Sequence, residues 1–155
     1  MRSHAFVHLG GRMSIAQLDT RQVILFDLDG TLVDSATDLY RAMNMSLNAL
    51  QLPLVTLEQV RTWVGKGTAV FCHSVLMHLM GEVHPEQQQQ LLNTFLEIYN
   101  ADPCIDTQPF PGIIEFLDWA KAQQKTLVCV TNKPELPARA IVEALEMQHY
   151  FADVI

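Results

Sequence analysis

Val23-Ile24-Leu25-Phe26 is an unbroken apolar run that stops abruptly at Asp27. It is short, β-branched at its start and apolar at every position, which predicts a strand buried on both faces, as in a parallel sheet. Thr126 to Val130 repeats the pattern and is stopped by Thr131-Asn132-Lys133-Pro134, and Phe151 to Ile155 begins a third strand. Between the first two runs the apolar spacing changes to three and four residues. Leu39, Met43, Leu47 and Leu50 predict a helix from Ala36 to about Leu50, with Ser35 and Asp38 at capping-box spacing. Thr56 and Gln59 repeat that spacing ahead of a short helix ending near Trp63. After the Gly65-Lys66-Gly67 loop, Thr68 is placed to cap a helix to about Met80, with Val70, Phe71, Val75 and Leu79 as its apolar face. Pro85 suits the first turn of a fourth helix through Tyr99, and Gln87 to Gln90 form its wet face. Pro103 to Pro111 is a linker. Pro111-Gly112 opens a helix to about Gln123, and a last helix runs from Leu136 to about Met147.

Strands that alternate with helices predict an α/β fold with a Rossmann-like parallel sheet. Four helices are too many for one crossover, so an inserted α-helical module is expected. The division is residues 1–20 as an N-terminal tail, 21–35 and 108–155 as the sheet module, and 36–107 as the helical insert.

Composition narrows the function classes. Of 155 residues, 49% are hydrophobic and 17% charged, which is a globular balance. No apolar run reaches the ~18 residues of a membrane span. The segment before Gly11 is broken by His4 and His8 and lacks the core of a secretory signal. Met13 offers an alternative start, and the cytoplasm is the expected location. A formal charge of −7 shows no basic footprint for nucleic acid. A small anionic substrate therefore needs local cations, either a metal or particular Lys and Arg side chains. Cys72, Cys104 and Cys129 have no CxxC spacing and read as small buried residues. His73 and His78 fall on different helix faces and read as structural or solvent-facing.

The chemistry concentrates at Asp27-Leu28-Asp29-Gly30-Thr31, where a buried strand ends. Parallel sheets place ligands at that end. Two carboxylates at i and i+2 start on the same side of an extended chain and repel each other unless a cation lies between them. A hard divalent ion such as magnesium takes a few carboxylates plus water and phosphate oxygens. The alternative is a turn in which two acids cap a loop. An EF-hand does not fit, because the glycine comes too early and no distal Glu follows.

Phe26-Asp27-Leu28-Asp29-Gly30-Thr31-Leu32-Val33-Asp34-Ser35 resembles the first signature motif of the haloacid dehalogenase superfamily, and Val130-Thr131-Asn132-Lys133-Pro134 resembles the second. Trp63-Val64-Gly65-Lys66-Gly67 is similar to the cap-loop sequence of the phosphoglycolate phosphatases in that superfamily, with Lys66 where Asn usually stands. The resemblance implies a magnesium-dependent hydrolase of small phosphomonoesters. Asp27 would be the nucleophile and Asp29 the general acid and base. The Asp27 carboxylate and the Asp29 carbonyl would bind Mg2+. The Thr131 hydroxyl and the Asn132 N–H would hold the phosphoryl group, and Lys66 is a candidate for the substrate's distal carboxylate. Lys133 is expected to be exposed near the insert, with a phosphate ligand as the alternative, Asp34 and Ser35 to enter a helix, and Arg61 to be a helix-surface charge.

The resemblance also implies two downstream segments, one with a lysine and one with further metal-binding acids. No residue here is assigned to either, so the chain is expected to be C-terminally truncated and slow or inactive alone. Other readings are a sugar-phosphate phosphatase or phosphomutase of the same superfamily, or a non-enzymatic fragment that pairs with a complementary chain through an open sheet edge. The oligomeric state is left open.

Overall fold

A computed structural model of the chain describes residues 22–155. The expected tail and the alternative start at Met13 lie outside the described residues. Strand β1 (Val23–Phe26) leads through a tight loop to β2 (Val33–Asp34). Helices α1 (Ala36–Ala49), α2 (Leu57–Trp63), α3 (Thr68–Met80) and α4 (Pro85–Ala101) follow. The chain returns through β3 (Gln108–Pro109), α5 (Ile113–Ala122), β4 (Thr126–Cys129), α6 (Glu135–Ala144), a 3-10 turn (Gln148–Tyr150) and β5 (Asp153–Val154).

The sheet is parallel, in the order β1-β4-β5, with Phe26 opposite Cys129 and Cys129 opposite Val154. Among the described residues, β1 is an edge of this sheet. Ile24, Phe26, Leu127 and Cys129 are buried against Leu117 and Ile141 of the flanking helices. A second apolar core lies within α1–α4, where Met43, Leu47, Val75, Leu76, Leu91 and Phe95 meet. Phe95 contacts both Phe71, edge-on at 5.5 Å, and Tyr99, stacked at 5.4 Å. No helix among the described residues is long and apolar enough to cross a membrane.

Several local expectations are met and others are redirected. Thr56 and Gln59 form a full capping box: the Gln59 N–H donates to Thr56 Oγ1 at 3.2 Å, and the Thr56 N–H donates to Gln59 Oε1 at 2.8 Å. Pro85 sits in the first turn of α4. Ser35 and Asp38 form no such box; Ser35 turns to Asp29, and Asp38 is taken by the returning linker. Thr68 is the first helical residue of α3 and not its cap, which is Gly67. The buried face of α3 is Phe71, Cys72, Val75 and Leu76, while Val70 is exposed.

The linker also contains a strand that periodicity does not reveal. β2 and β3 form a two-residue antiparallel ladder, Val33 opposite Pro109 and Asp34 opposite Gln108, so the chain leaves and re-enters the sheet region side by side. Asp38 fastens this crossing. Its Oδ2 accepts hydrogen bonds from the N–H groups of Ile105 (3.0 Å), Asp106 (2.9 Å) and Thr107 (2.8 Å) and from the Thr107 hydroxyl (2.7 Å). Burial alone would raise the Asp38 carboxyl, but the donors from Thr107, Asp106 and Arg41 outweigh it and hold it below the ordinary carboxylate value. Arg61 is exposed on its helix, as expected, and is also paired. Its guanidinium forms a two-pronged pair with Asp34, 3.0 Å on each arm, linking α2 to β2.

Candidate active site

The register fixes the site. Phe26 lies opposite Cys129, and the Val130 N–H donates to the Phe26 carbonyl at 2.7 Å, so Asp27 and Thr131 leave the same end of neighbouring strands. Both are half-buried. The loop after Asp27 is closed by backbone bonds: Thr31, Leu32 and Val33 donate to the Leu28 carbonyl, and Gly30 donates to Val33. Leu28 and Leu32 are fully buried and anchor that loop while its carboxylates stay at the surface of the core.

Of the two strand-end acids, Asp29 is the more engaged. Ser35 Oγ donates to its Oδ1 at 2.5 Å, and Lys133 Nζ donates to Oδ2 at 2.9 Å and Oδ1 at 3.1 Å. The Lys133 side chain is 3% exposed, which corrects the expectation of an exposed lysine. Its ammonium lies 4.6 Å from the centre of the Tyr99 ring, contributed by α4. A ring face is a favourable seat for a desolvated cation. Burial, with the charges of Asp29 and Asp38, pushes the Tyr99 phenol up, so it is neutral. The sequence carried one hint of this pair: Lys133 is fixed two residues after a strand-end Thr, in a chain short of cations. Its ring partner is 34 residues upstream, on an element that spacing alone does not bring near.

Thr131 Oγ1 accepts from the Lys133 N–H at 3.2 Å, which leaves its hydroxyl proton available to a ligand. Asn132 is exposed, and its Nδ2 donates to the Gly65 carbonyl at 3.2 Å. The helical module therefore touches the site through the Gly65–Gly67 loop. Gly67 has φ +85°, and a Cβ there would stand 3.4 Å from the Asn132 carbonyl oxygen, so both backbone form and close approach call for glycine.

These groups wall a cavity of about 30 Å³ lined by Asp29, Trp63, Tyr99, Thr131, Asn132 and Lys133, among others. Lys66 is exposed and is not on its wall; the loop's backbone reaches the cavity while the Lys66 side chain does not. Cys129 lies beneath the site, but burial and the charges of Asp27 and Asp29 push its thiol up to about 12, so it is no thiolate nucleophile. Cys72, Cys104 and Cys129 are all free thiols.

The donor set suits a hard cation in kind. The Asp27 carboxylate is half-buried at the strand end, and the Asp29 backbone is in the adjoining loop; both offer oxygen, which magnesium prefers. Among the described residues no group of three or more His, Cys, Asp or Glu is placed to hold a metal.

Three comparisons with known proteins agree with this geometry. A family model described as haloacid dehalogenase-like hydrolase matches residues 24–155. Phosphoglycolate phosphatase 1 of Pseudomonas aeruginosa is 32% identical over 136 residues, which cover 86% of this chain and 50% of that protein. The phosphoglycolate phosphatase of Caulobacter vibrioides is 35% identical over 132 residues, 85% of this chain and 56% of that one. The chain spans about half the length of the curated relatives it matches. Among solved structures, a predicted phosphoglycolate phosphatase from Haemophilus somnus superposes with a TM-score of 0.80 at 30% identity, covering 87% of this chain and 62% of that one. With its sequence, its fold and the strand-end acids in agreement, the chain belongs to the haloacid dehalogenase-like hydrolases.

Proposed function

We propose that this chain carries the nucleophile-bearing part of a magnesium-dependent phosphomonoesterase whose substrate is 2-phosphoglycolate. The observation that carries the reading is the pair of acids Asp27 and Asp29 at the end of β1, facing Thr131 and Asn132 from the end of β4, under a helical module whose glycine loop reaches the same cavity. The curated relatives are phosphoglycolate phosphatases, which supports the choice of substrate.

The steps follow from the residues. An Asp27 carboxylate oxygen attacks phosphorus, and the bond from phosphorus to the leaving alkoxide breaks. Asp29 gives that alkoxide its proton and yields glycolate. Asp29 then takes a proton from water, whose oxygen attacks the aspartyl-phosphate; the phosphorus–Asp27 bond breaks, and inorganic phosphate leaves. The Thr131 hydroxyl and the Asn132 N–H donate to the equatorial oxygens throughout. The Asp27 carboxylate and the Asp29 carbonyl would hold a magnesium ion, which would supply charge neutralisation between acid and phosphoryl group. The Gly65–Gly67 loop, whose Gly65 carbonyl accepts from Asn132 Nδ2, covers one side of the site.

The test is hydrolysis by this chain joined to the downstream half of the Pseudomonas aeruginosa relative, assayed with magnesium. The reading expects 2-phosphoglycolate to be preferred over hexose phosphates, with release abolished in Asp27→Asn. Preference for a hexose phosphate would move the assignment to the sugar-phosphate phosphatases; release that survives Asp27→Asn would remove Asp27 as nucleophile.

A further inference from the structure

The Gln59 carboxamide has a fixed orientation. Its Oε1 accepts the Thr56 N–H at 2.8 Å, a role the amide nitrogen cannot take, so Nε2 is turned toward α3. There it meets His78 Nε2 at 2.8 Å. An amide nitrogen only donates, so His78 Nε2 is the acceptor and the ring proton sits on Nδ1. The contact therefore exists for the neutral imidazole alone. Once Nε2 is protonated, two donors confront each other. The same imidazole lies 5.5 Å from the Trp63 ring. Gln59 and Trp63 share a face of α2 at (i, i+4) spacing, so one histidine meets both. Trp63, Val64, Gly65 and Gly67 line the cavity, and the Gly65 carbonyl accepts from Asn132. An exposed side chain on α3 is thus joined, through the short helix α2, to the wall that the cavity shares with Asp29 and Thr131.

We propose that His78, as the neutral Nδ1–H imidazole, is a positioning residue for this site: it holds Gln59 and Trp63, and with them the Gly65–Gly67 loop, and protonation of its ring shifts that wall. The effect on substrate rests on the phosphomonoesterase reading; the effect on the wall does not. The other ties of α2 do not replace this one. Val60 is buried in the helical core and Arg61 reaches back to Asp34, whereas the ring contact of Trp63 among the described residues is with His78. The charged groups on the elements packed against α3 are Glu58 and Arg61 of α2 and Glu86 and Glu97 of α4, with Glu82 just after α3. Arg61 is taken by Asp34, Glu82 stands 3.6 Å from His84, and none of these groups is bonded to or paired with His78 among the described residues. The protonated ring is still attracted to the Trp63 face, but that attraction does not restore the acceptor that Gln59 has lost.

The experiment is nitrogen and amide NMR of the 155-residue chain, acidified from about pH 8 to about pH 5, the range in which imidazoles titrate. The neutral His78 ring carries its proton on Nδ1, and the Gly65 and Gly67 amide resonances move in step with its titration. His78→Gln supplies an amide oxygen to Gln59 at every pH, and the part of the shift that follows His78 disappears. Gln59→Glu keeps the capping box but offers an acceptor to His78, so the loop resonances at low pH match those of the unaltered chain at high pH. In the chain joined to the downstream half of the Pseudomonas aeruginosa relative, His78→Leu raises KM for 2-phosphoglycolate several-fold with kcat little changed, and His78→Gln restores it. A neutral ring protonated on Nε2, or loop resonances indifferent to His78, overturns the proposal. So does a KM for His78→Gln as high as that of His78→Leu, while the phosphomonoesterase reading stands. A joined protein that hydrolyses no phosphomonoester overturns that reading, and the NMR result alone then decides the role of His78.

Discussion

The helical module and the sheet module are held together by different means. In α1–α4 the core is built from side chains three and four residues apart, and Phe71, Phe95 and Tyr99 form a contiguous aromatic cluster. In the sheet module the strands are two to four residues long, β1 is an edge among the described residues, and the order depends on backbone pairing across a hundred residues of sequence. Local contacts form early and tolerate loss elsewhere; long-range pairings depend on one another. Yet the strand-end acids Asp27 and Asp29 are on the sheet side, and the helical side supplies the ring beneath Lys133 and the loop above the cavity. The helical module thus walls part of a cavity whose strand-end residues belong to the sheet module.

The largest structural effect tests the autonomy of the helical core. Phe95 is 1% exposed at the centre of its cluster, and Phe95→Ala costs about 3–5 kcal/mol in urea unfolding. Amide exchange distinguishes the modules: the loss falls on α3 and α4, and β1 keeps its protection relative to β4. If β1 and the helices lose protection equally, the two cores are one cooperative unit.

Asp38 joins the modules, and its replacement ranks next. Asp38→Asn sets an amide against three backbone donors and a hydroxyl and costs about 2–3 kcal/mol at neutral pH. The folded carboxyl lies below its ordinary value of 3.8, so its contribution is full above that value and is lost as pH falls through the lower folded value. Melting temperatures of the two proteins, well apart at pH 7, therefore converge below pH about 3.8. A gap that persists in acid would show that the staple acts through shape and not charge.

The smallest effect is expected at Arg61. Its pair with Asp34 is geometrically good, but the two side chains are 47% and 34% exposed, and water screens them. Arg61→Met costs under about 1 kcal/mol. A loss of several kcal/mol would make this pair, and not Asp38, the main fastening of the insert.

What was legible in the sequence follows the same division. The apolar runs at Val23–Phe26 and Thr126–Cys129, the capping box at Thr56 and the helical periods are local signals, and the structure has these elements where the signals stand. The signature acids were legible because they follow a strand directly. Lys133 was misread, since its burial depends on Tyr99 in another module and no spacing rule connects them. Ser35 and Asp38 had correct capping-box spacing but were drawn to stronger partners, Asp29 and the Ile105–Thr107 backbone. The β2–β3 ladder went unseen because two-residue strands containing a proline carry no alternation. Lys66 was placed by resemblance, and the structure shows that the backbone of its loop, with Gly67 at φ +85°, is what approaches the site.

The central claim is that Asp27 accepts the phosphoryl group, and trapping that group tests it most directly. The chain joined to the downstream half of a relative is exposed to 2-phosphoglycolate with magnesium, quenched in acid and mapped by peptide mass spectrometry. The account predicts one hydroxylamine-sensitive phosphoryl group on the peptide containing Asp27, absent in Asp27→Asn. A phosphoryl group on any other residue, or one that persists in Asp27→Asn, would contradict it.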